Sequence, residues 1–306
     1  KLILDKRLGE SLLELRSRIP HAGETPASPS KGIGFMFMRR VALGLLILGF
    51  NVSAALAGTI CTIVADTRSG ELLLEEGDCS SRVTPASTFK IAISLMGFDA
   101  AFLQNEHSPT LPYRPGDPDW GGAAWREPTD AARWFQYSVV WFSQRVTHAL
   151  GEAKVKRYAE SFDYGNTDLT GDPGKNNGLD RAWISSSLKI SPREQITFLN
   201  RLVNRQLPVS PHAFDMTSRI SQIALRPDGW DVHGKTGTAF PRMGDGTSDE
   251  AHGYGWFVGW ATKGEHSLVF ARLAQDDHAQ PMPAGLRVRD ALLDEWPELA
   301  RSLVKR

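Results

Sequence analysis

The sequence has no excess charge of either sign, since its 35 lysine and arginine residues are balanced by 35 aspartate and glutamate residues. A neutral chain gives no electrostatic reason to expect nucleic acid or an acidic membrane surface as a partner. The eight histidines are scattered and lack the paired spacing of a zinc site. The nearest match to a glycine-rich phosphate loop, Gly253–Val258, is more typical of a strand. We therefore expect no metal, nucleotide or nucleic acid.

The sequence also lacks a hydrophobic run long enough to cross a bilayer. The apolar segment Val41–Phe50 is much shorter than the ~20 residues of a membrane-spanning helix. Arg39 and Arg40 precede it, and the small-residue motif Ala55-Leu56-Ala57 follows. This order is typical of a secretory signal peptide that is cleaved after Ala57. A retained membrane anchor is the alternative, but no charged stop follows the run.

The signal peptide divides the chain into three predicted parts. Residues 1–37 form an upstream extension outside the mature protein, residues 38–57 form the signal peptide, and residues 58–306 form the mature domain. We expect that domain to be periplasmic, without a stable membrane anchor.

Cysteine is scarce, with Cys61 and Cys79 as the two copies. The segment between them is typical of two strands around a turn at Thr67–Gly70. Cross-strand neighbours in such a hairpin have Cβ atoms within disulfide reach. Because an exported protein enters an oxidising compartment, we predict a Cys61–Cys79 disulfide rather than two free buried thiols.

Strand patterns lie at both ends of the mature domain, with a block of helical patterns between them. The predicted helices are Thr88–Phe102, Thr129–Leu150, Glu152–Phe162, Pro192–Asn204 and Gly285–Lys305. The simplest arrangement is a mixed α/β (α+β) fold. In it, one antiparallel sheet from the N- and C-terminal parts is flanked by helices and carries an inserted all-helical subdomain.

Ser87 lies at the N-terminus of the first predicted helix and Lys90 three residues later, a helical spacing that puts both side chains on one face. A serine becomes a good nucleophile when a base takes its proton, and a lysine is such a base only when it is neutral. The apolar residues around Lys90 favour the neutral amine. The spacing alone also allows a lysine that extends its charge to solvent, since S-x-x-K recurs at Ser28–Lys31 and Ser186–Lys189.

A second polar group occurs inside a predicted strand, at Lys235, Thr236 and Gly237. The lysine charge and the threonine hydroxyl suit a bound carboxylate, and the glycine lets the backbone approach a ligand closely. The N–H groups of Thr238 and Ser87 are candidates for the two halves of an oxyanion hole.

Between these segments lie Ser138-Val139-Val140 and Tyr164-Gly165-Asn166. The order S-T-F-K, S-V-V, Y-G-N, K-T-G resembles the serine β-lactamase and penicillin-binding superfamily, and most closely the class D (oxacillinase-type) β-lactamases, over residues 58–306. The sequence S-D-N of class A enzymes is absent. We expect Tyr164 and Asn166 to be mainly structural, because buried tyrosine and asparagine usually pair with the backbone.

The resemblance implies a role for each matched residue. Ser87 is acylated by the β-lactam carbonyl, and Ser138 relays a proton to the leaving nitrogen. Lys235 helps that relay and anchors the substrate carboxylate. The implied substrate-binding residues are Thr236, Gly237, Thr238 and Arg287, with Arg289 as the less favoured arginine.

Class D enzymes carry their lysine as an N-carboxy (carbamylated) lysine formed with carbon dioxide, so the resemblance implies the same of Lys90, with no dissociable cofactor. It places Trp183, in "AWISSSLKIS", and Val140 beside the carbamate. An anion there needs a donor, and an indole N–H is a donor only. The alternative for Trp183 is an ordinary core aromatic.

The predicted function is hydrolysis of β-lactam antibiotics through an acyl-enzyme on Ser87, with carbamylated Lys90 as general base in both steps, giving antibiotic resistance. The alternatives are a β-lactam sensor domain and a penicillin-binding transpeptidase, which acylate in the same way but deacylate slowly. The loop Thr170–Gly178 looks long for the family and is a candidate border of the active site.

Overall fold

The computed structural model of the protein describes residues 58–304. The predicted extension and signal peptide lie outside these residues, so the division of the chain and its export stay predictions. No helix within the described part is long and apolar enough to cross a membrane.

Strands occur at both ends of the described chain, with helices between them. The first strands are β1 (Thr59–Asp66) and β2 (Leu72–Gly77). The helices that follow are α1 (Lys90–Asp99), α2 (Ala131–Tyr137), α3 (Val140–Leu150), α4 (Glu152–Phe162), α5 (Gly178–Arg181), α6 (Pro192–Val203) and α7 (Pro211–Ser221). The last elements are β3 (Asp231–Ala239), β4 (Tyr254–Lys263), β5 (His266–Gln275) and α8 (Ala284–Val304).

The five strands form one sheet in the order β2-β1-β5-β4-β3, and all neighbours are antiparallel. The N-terminal strand β1 pairs with the C-terminal strand β5, so both ends of the chain build the sheet. Helices α1 to α7 are inserted between β2 and β3. The predicted α+β architecture is confirmed.

Strand β4, which lies between β5 and β3, is buried on both faces of the sheet. Trp256 and Val258 pack into the core beneath the helical block, whereas Phe257 and Ala261 pack into the core beneath α8. The division follows from the pleat, which points successive side chains to opposite faces. Burial of each large apolar side chain stabilises the fold by about 1.5–3 kcal/mol. Strand β3, which lies beside β4, is thereby fixed between two packed layers.

The first helix begins later than the sequence pattern predicted. A 3₁₀ turn occupies Ala86–Phe89, and α1 starts only at Lys90. Ala86 has a positive φ of 51°. The N–H and the hydroxyl of Thr88 both donate to the carbonyl of Pro85, at 3.1 and 2.7 Å. Ser87 therefore lies in a tight turn before the helix and not within it.

The predicted helix Thr129–Leu150 is two helices. Ser138 has a φ of 59° and ψ of 33°, which is left-handed backbone that ends α2. The chain then turns at Val139, and α3 begins at Val140. Ser138 is therefore partly exposed at the junction of the two helices and does not lie within one continuous helix.

The predicted disulfide between Cys61 and Cys79 is confirmed, with 5.1 Å between their Cα atoms. Cys61 pairs with Gly77 in the hairpin, so Cys79 lies two residues beyond the partner position. The bond ties the end of β2 to the start of β1.

Replacement of both cysteines by serine should lower the free energy of unfolding by about 3 kcal/mol, because the bond restricts the unfolded chain across its closed loop. Urea unfolding of the C61S/C79S variant measures the loss. Reduced wild type should unfold at the same urea concentration as the variant. Equal midpoints for oxidised wild type and the variant would contradict the prediction.

Candidate active site

Lys90 is completely buried, and its Nζ lies 3.1 Å from the Oγ of Ser87. Burial, together with the nearby charge of Lys235, lowers the pKa of Lys90 well below its ordinary value. A neutral amine can accept a hydrogen bond from a hydroxyl group, whereas an ammonium cannot. The structure therefore brings the predicted nucleophile and the predicted base into direct contact, and solvent is excluded from the lysine.

Lys235 is the second buried amine of the site, with 5% of the residue exposed. Burial, and secondarily the charge of Arg289, lowers the pKa of Lys235 to about 7. Its Nζ donates to the carbonyl of Thr236 at 3.1 Å and lies 5.8 Å from the ring centre of Phe135. Because Phe135 belongs to α2, the amine of β3 faces the helix that ends at Ser138.

Strand β3 packs directly against the turn that carries the nucleophile. A Cβ atom on Gly237 would lie 3.0 Å from the Pro85 carbonyl oxygen and 3.1 Å from Cγ2 of Thr88, so a larger residue would push the two segments apart. The hydroxyl of the next residue, Thr238, accepts the N–H of Gly285 at 2.9 Å. This bond attaches the start of α8 to the same end of β3.

The junction of α2 and α3 is held by two hydrogen bonds. Trp125 Nε1 donates to the carbonyl of Tyr137 at 2.8 Å, and the N–H of Val139 donates to the carbonyl of Trp134 at 3.1 Å. These bonds fix the backbone on either side of Ser138. Val140, which follows, is 6% exposed.

Trp183 is 1% exposed, and its ring centre lies 5.7 Å from that of Phe89, the residue before Lys90. Its Nε1 is buried and has no hydrogen-bond partner within residues 58–304. A buried donor left unpaired destabilises a protein by about 1–3 kcal/mol. A free donor and a neutral buried amine fit an N-carboxy group on Lys90, which is an anion that needs a donor.

Two arginines in the first turns of α8, Arg287 and Arg289, are each paired with a carboxylate. Arg287 Nη2 lies 2.5 and 2.6 Å from the two carboxylate oxygens of Asp276, and Arg287 Nε donates to the carbonyl of Met282 at 3.1 Å. Arg289 Nε donates to the Asp290 carboxylate at 2.8 Å. The positive charge of Arg289 also helps to lower the pKa of Lys235. The choice of Arg287 for the substrate carboxylate stays a prediction.

The loop Thr170–Gly178 borders a cavity of about 940 Å³, whose lining includes Thr84 and Phe240 but not Ser87, Lys90 or Lys235. The carboxylate of Asp172 holds this loop. The donors to that carboxylate are Arg242 Nη2 at 2.9 Å, Ser186 Oγ at 2.7 Å and Asn177 Nδ2 at 3.1 Å. The loop is thus attached both to the segment after Trp183 and to the exit of β3.

The tyrosine and asparagine of the Y-G-N motif lie in the framework of the site. Asn166 donates to the carbonyl of Ser187 and accepts the N–H of Lys189, both at 2.9 Å. Tyr164 is fully buried, its ring centre 5.0 Å from that of Phe89, and burial raises its pKa.

Sequence reasoning missed Gln195, whose Nε2 donates to the hydroxyl of Thr88 at 3.0 Å. The only local signal near it is the helix start at Ser191 and Pro192. That signal predicts α6 but no contact with the turn at Ser87.

A serine beside a neutral lysine, flanked by a K-T-G strand on an antiparallel sheet, defines the class of penicillin-binding serine acyltransferases. The family description "Penicillin binding protein transpeptidase domain" matches residues 60–297 of the chain. Within that class, Beta-lactamase OXA-9 from Klebsiella pneumoniae is 43% identical over 240 residues, which cover 78% of this chain and 87% of that protein.

Two further comparisons agree. Beta-lactamase OXA-1 from Escherichia coli is 38% identical over 207 residues, covering 67% of this chain and 71% of that protein. The crystal structure of OXA-427, a class D β-lactamase, is similar with a TM-score of 0.75 and 45% identity, covering 79% of this chain and 99% of that one. The chain belongs to the class D β-lactamases and is a serine β-lactamase, as its motifs predicted.

The low pKa of Lys235 predicts a specific pH dependence of stability. Between pH 7 and 10.5 the unfolded chain binds a proton at Lys235 that the folded protein does not. The free energy of unfolding should therefore rise with pH through this window, by up to about 1.4 kcal/mol per pH unit.

Lys235→Met removes this contribution, so the variant should exceed wild type in stability most at pH 7 and progressively less toward pH 10.5. Urea unfolding of both proteins at several pH values measures the difference. A difference that does not change with pH would show that Lys235 has the same pKa in both states.

Proposed function

We propose that the protein is exported to the periplasm, where it hydrolyses β-lactam antibiotics through an acyl-enzyme on Ser87 and so confers resistance. The observation that carries the proposal is the buried Nζ of Lys90 at 3.1 Å from the Oγ of Ser87, with a lowered pKa. The disulfide supports export, because such bonds persist in oxidising compartments.

In acylation, Ser87 Oγ forms a bond to the β-lactam carbonyl carbon while its proton leaves toward Lys90. The carbonyl oxygen becomes negative, and the N–H groups of Ser87 and Thr238 stabilise it. The carbon–nitrogen bond of the ring then breaks. Ser138, assisted by Lys235, passes a proton to the leaving nitrogen. This proton neutralises the negative charge that develops on the nitrogen as the bond breaks.

Substrate recognition depends on the carboxylate that β-lactams carry. We assign this group to Lys235, Thr236 and Arg287. Gly237 keeps the backbone close enough for the N–H of Thr238 to reach the reacting carbonyl. A charge-assisted hydrogen bond contributes roughly 1.5–3 kcal/mol, so these contacts orient the ring before the chemistry begins.

We also infer that Lys90 carries an N-carboxy group. A neutral amine in an apolar pocket is able to form a bond to carbon dioxide and lose a proton. Trp183 Nε1 is the donor for the resulting anion, and Val140 encloses it. When present, the group supplies a carboxylate that takes a proton from Ser87 and later from the hydrolytic water.

Steady hydrolysis of nitrocefin by the purified protein is the expected result, with many turnovers per enzyme molecule. Ser87→Ala should show neither turnover nor a mass increase after a penicillin pulse, because the variant has no oxygen to acylate. Absorbance and intact-mass spectrometry measure the two outcomes. A single stoichiometric burst would favour the sensor or transpeptidase alternative, and a mass increase in the variant would refute Ser87 as nucleophile.

A carbon-13 NMR resonance of a carbamate should appear in wild type in labelled bicarbonate and be absent from Lys90→Ala. Trp183→Phe keeps an aromatic ring but removes the donor, so this variant should need more bicarbonate for half-maximal activity and should deacylate slowly. Full turnover without any carbamate resonance would leave unmodified Lys90 as the base.

A further inference from the structure

A buried hydrogen-bond network lies beneath the turn that carries Ser87. The hydroxyl of Thr88, the next residue, donates to the carbonyl of Pro85 at 2.7 Å. Because its single hydrogen is used there, the same oxygen is free to accept, and Gln195 Nε2 donates to it at 3.0 Å. Gln195 is 1% exposed and belongs to α6, and it lies 107 residues after Thr88 in the sequence. The network therefore connects a distant helix to the residue beside the nucleophile.

Stability alone does not account for the amide of Gln195. Its Oε1 is buried without a hydrogen-bond partner within the described chain, and its second Nε2 contact, to the hydroxyl of Tyr164, is 3.4 Å long. An unpaired buried carbonyl lowers stability, and an apolar side chain of similar size would avoid this loss. The one short, well-formed bond of the amide is the bond to Thr88.

Helix α6 is a rigid support for Gln195. Its first turn is closed by a capping box, in which Glu194 N–H donates to Ser191 Oγ and Ser191 N–H donates to the Glu194 carboxylate. Arg82 also pairs with Glu194, and the backbone of Val83 pairs with that of Ile190. The start of α6 is thus fixed to the chain segment that leads into the Ser87 turn.

The turn itself needs support from outside. Ala86 has a φ of 51°, which is unfavourable for a residue with a Cβ atom, and such backbone persists only where its surroundings enforce it. On one side Gly237 of β3 abuts the turn. On the other side Gln195 donates to Thr88, and the ring of Phe89 packs against Tyr164 and Trp183.

We propose that Gln195 is a positioning residue, which acts through the hydroxyl of Thr88 to hold Ser87 Oγ against Lys90 Nζ. The inference deepens the proposed function and rests on it, since it takes Ser87 as the nucleophile. Misplacement of a reacting group by 1 Å slows a reaction by roughly a hundredfold. Loss of one of several supports should shift Ser87 less than this, and we expect acylation to slow by about tenfold.

The test compares Gln195→Met, which keeps the side-chain size, with Tyr164→Phe as the matched control. Tyr164→Phe removes the long contact of the same amide but leaves the Thr88 bond in place. The measurements are the single-turnover rate of Ser87 labelling by a fluorescent penicillin and the hydrogen exchange of the peptide that spans 86–90. In Gln195→Met, labelling should slow about tenfold and exchange should accelerate in this peptide alone. Tyr164→Phe should remain close to wild type in both measurements.

A second pair of variants keeps the test decisive if Gln195→Met fails to fold. Thr88→Val loses the hydroxyl, and with it the bonds to Gln195 and to the Pro85 carbonyl, so it should slow labelling at least as much as Gln195→Met does. Thr88→Ser keeps the hydroxyl and should retain most of the rate. Because Gln195 acts through the Thr88 hydroxyl, the double variant Thr88→Val/Gln195→Met should be no slower than Thr88→Val alone.

Three results would overturn the inference. The first is a wild-type labelling rate with wild-type exchange in Gln195→Met or Thr88→Val. The second is an equal loss in Tyr164→Phe, which would indicate general disturbance of the core. The third is faster exchange throughout the protein in Gln195→Met. If wild type is not labelled by penicillin at all, the proposed function fails, and exchange at residues 86–90 still decides whether Gln195 supports the turn.

Discussion

The exclusion of water from two lysines is the constraint on which the site depends. Lys90 and Lys235 are buried in one region of the molecule, and transfer of an ammonium group into such a region is unfavourable. The fold tolerates the two amines because burial lowers the pKa of each, well below its ordinary value for Lys90 and to about 7 for Lys235, which favours the uncharged form. Much of the architecture serves this condition: a sheet buried on both faces, a helical block that covers one face, and an aromatic layer around Phe89.

The sequence predicted the chemistry of the site better than its local geometry. Spacing and motif order identified Ser87, Lys90 and Lys235, because the chemistry requires specific residue types at short separations. The left-handed backbone of Ala86 and Ser138 was not predictable, since neither residue type favours it. Tertiary contacts enforce these conformations, which place Ser87 in a 3₁₀ turn before α1 and divide the predicted helix Thr129–Leu150.

Two further differences between the prediction and the structure have other causes. Helix α7 has Ser210 at its N-cap and Pro211 in its first turn, yet the sequence analysis did not identify it. Its start lacks the capping box of α6, and polar residues interrupt its apolar face. The bond from Gln195 to Thr88 joins residues 107 positions apart, and no local pattern reports a contact of that kind. The overall sheet, by contrast, followed from the change of hydrophobic period along the chain.

The pairing of β1 with β5 has a consequence for how the protein forms. Thr62 lies opposite Arg272, so two strands from opposite ends of the chain must meet before the sheet is complete. Closing so large a loop has an entropic cost, and folds with distant pairings form slowly. During folding the hairpin of β1 and β2 therefore keeps the β1 edge unpaired until β5 joins it. The site around Lys90 needs β3 as well, so the reactive site is completed only after segments from both ends of the chain have come together.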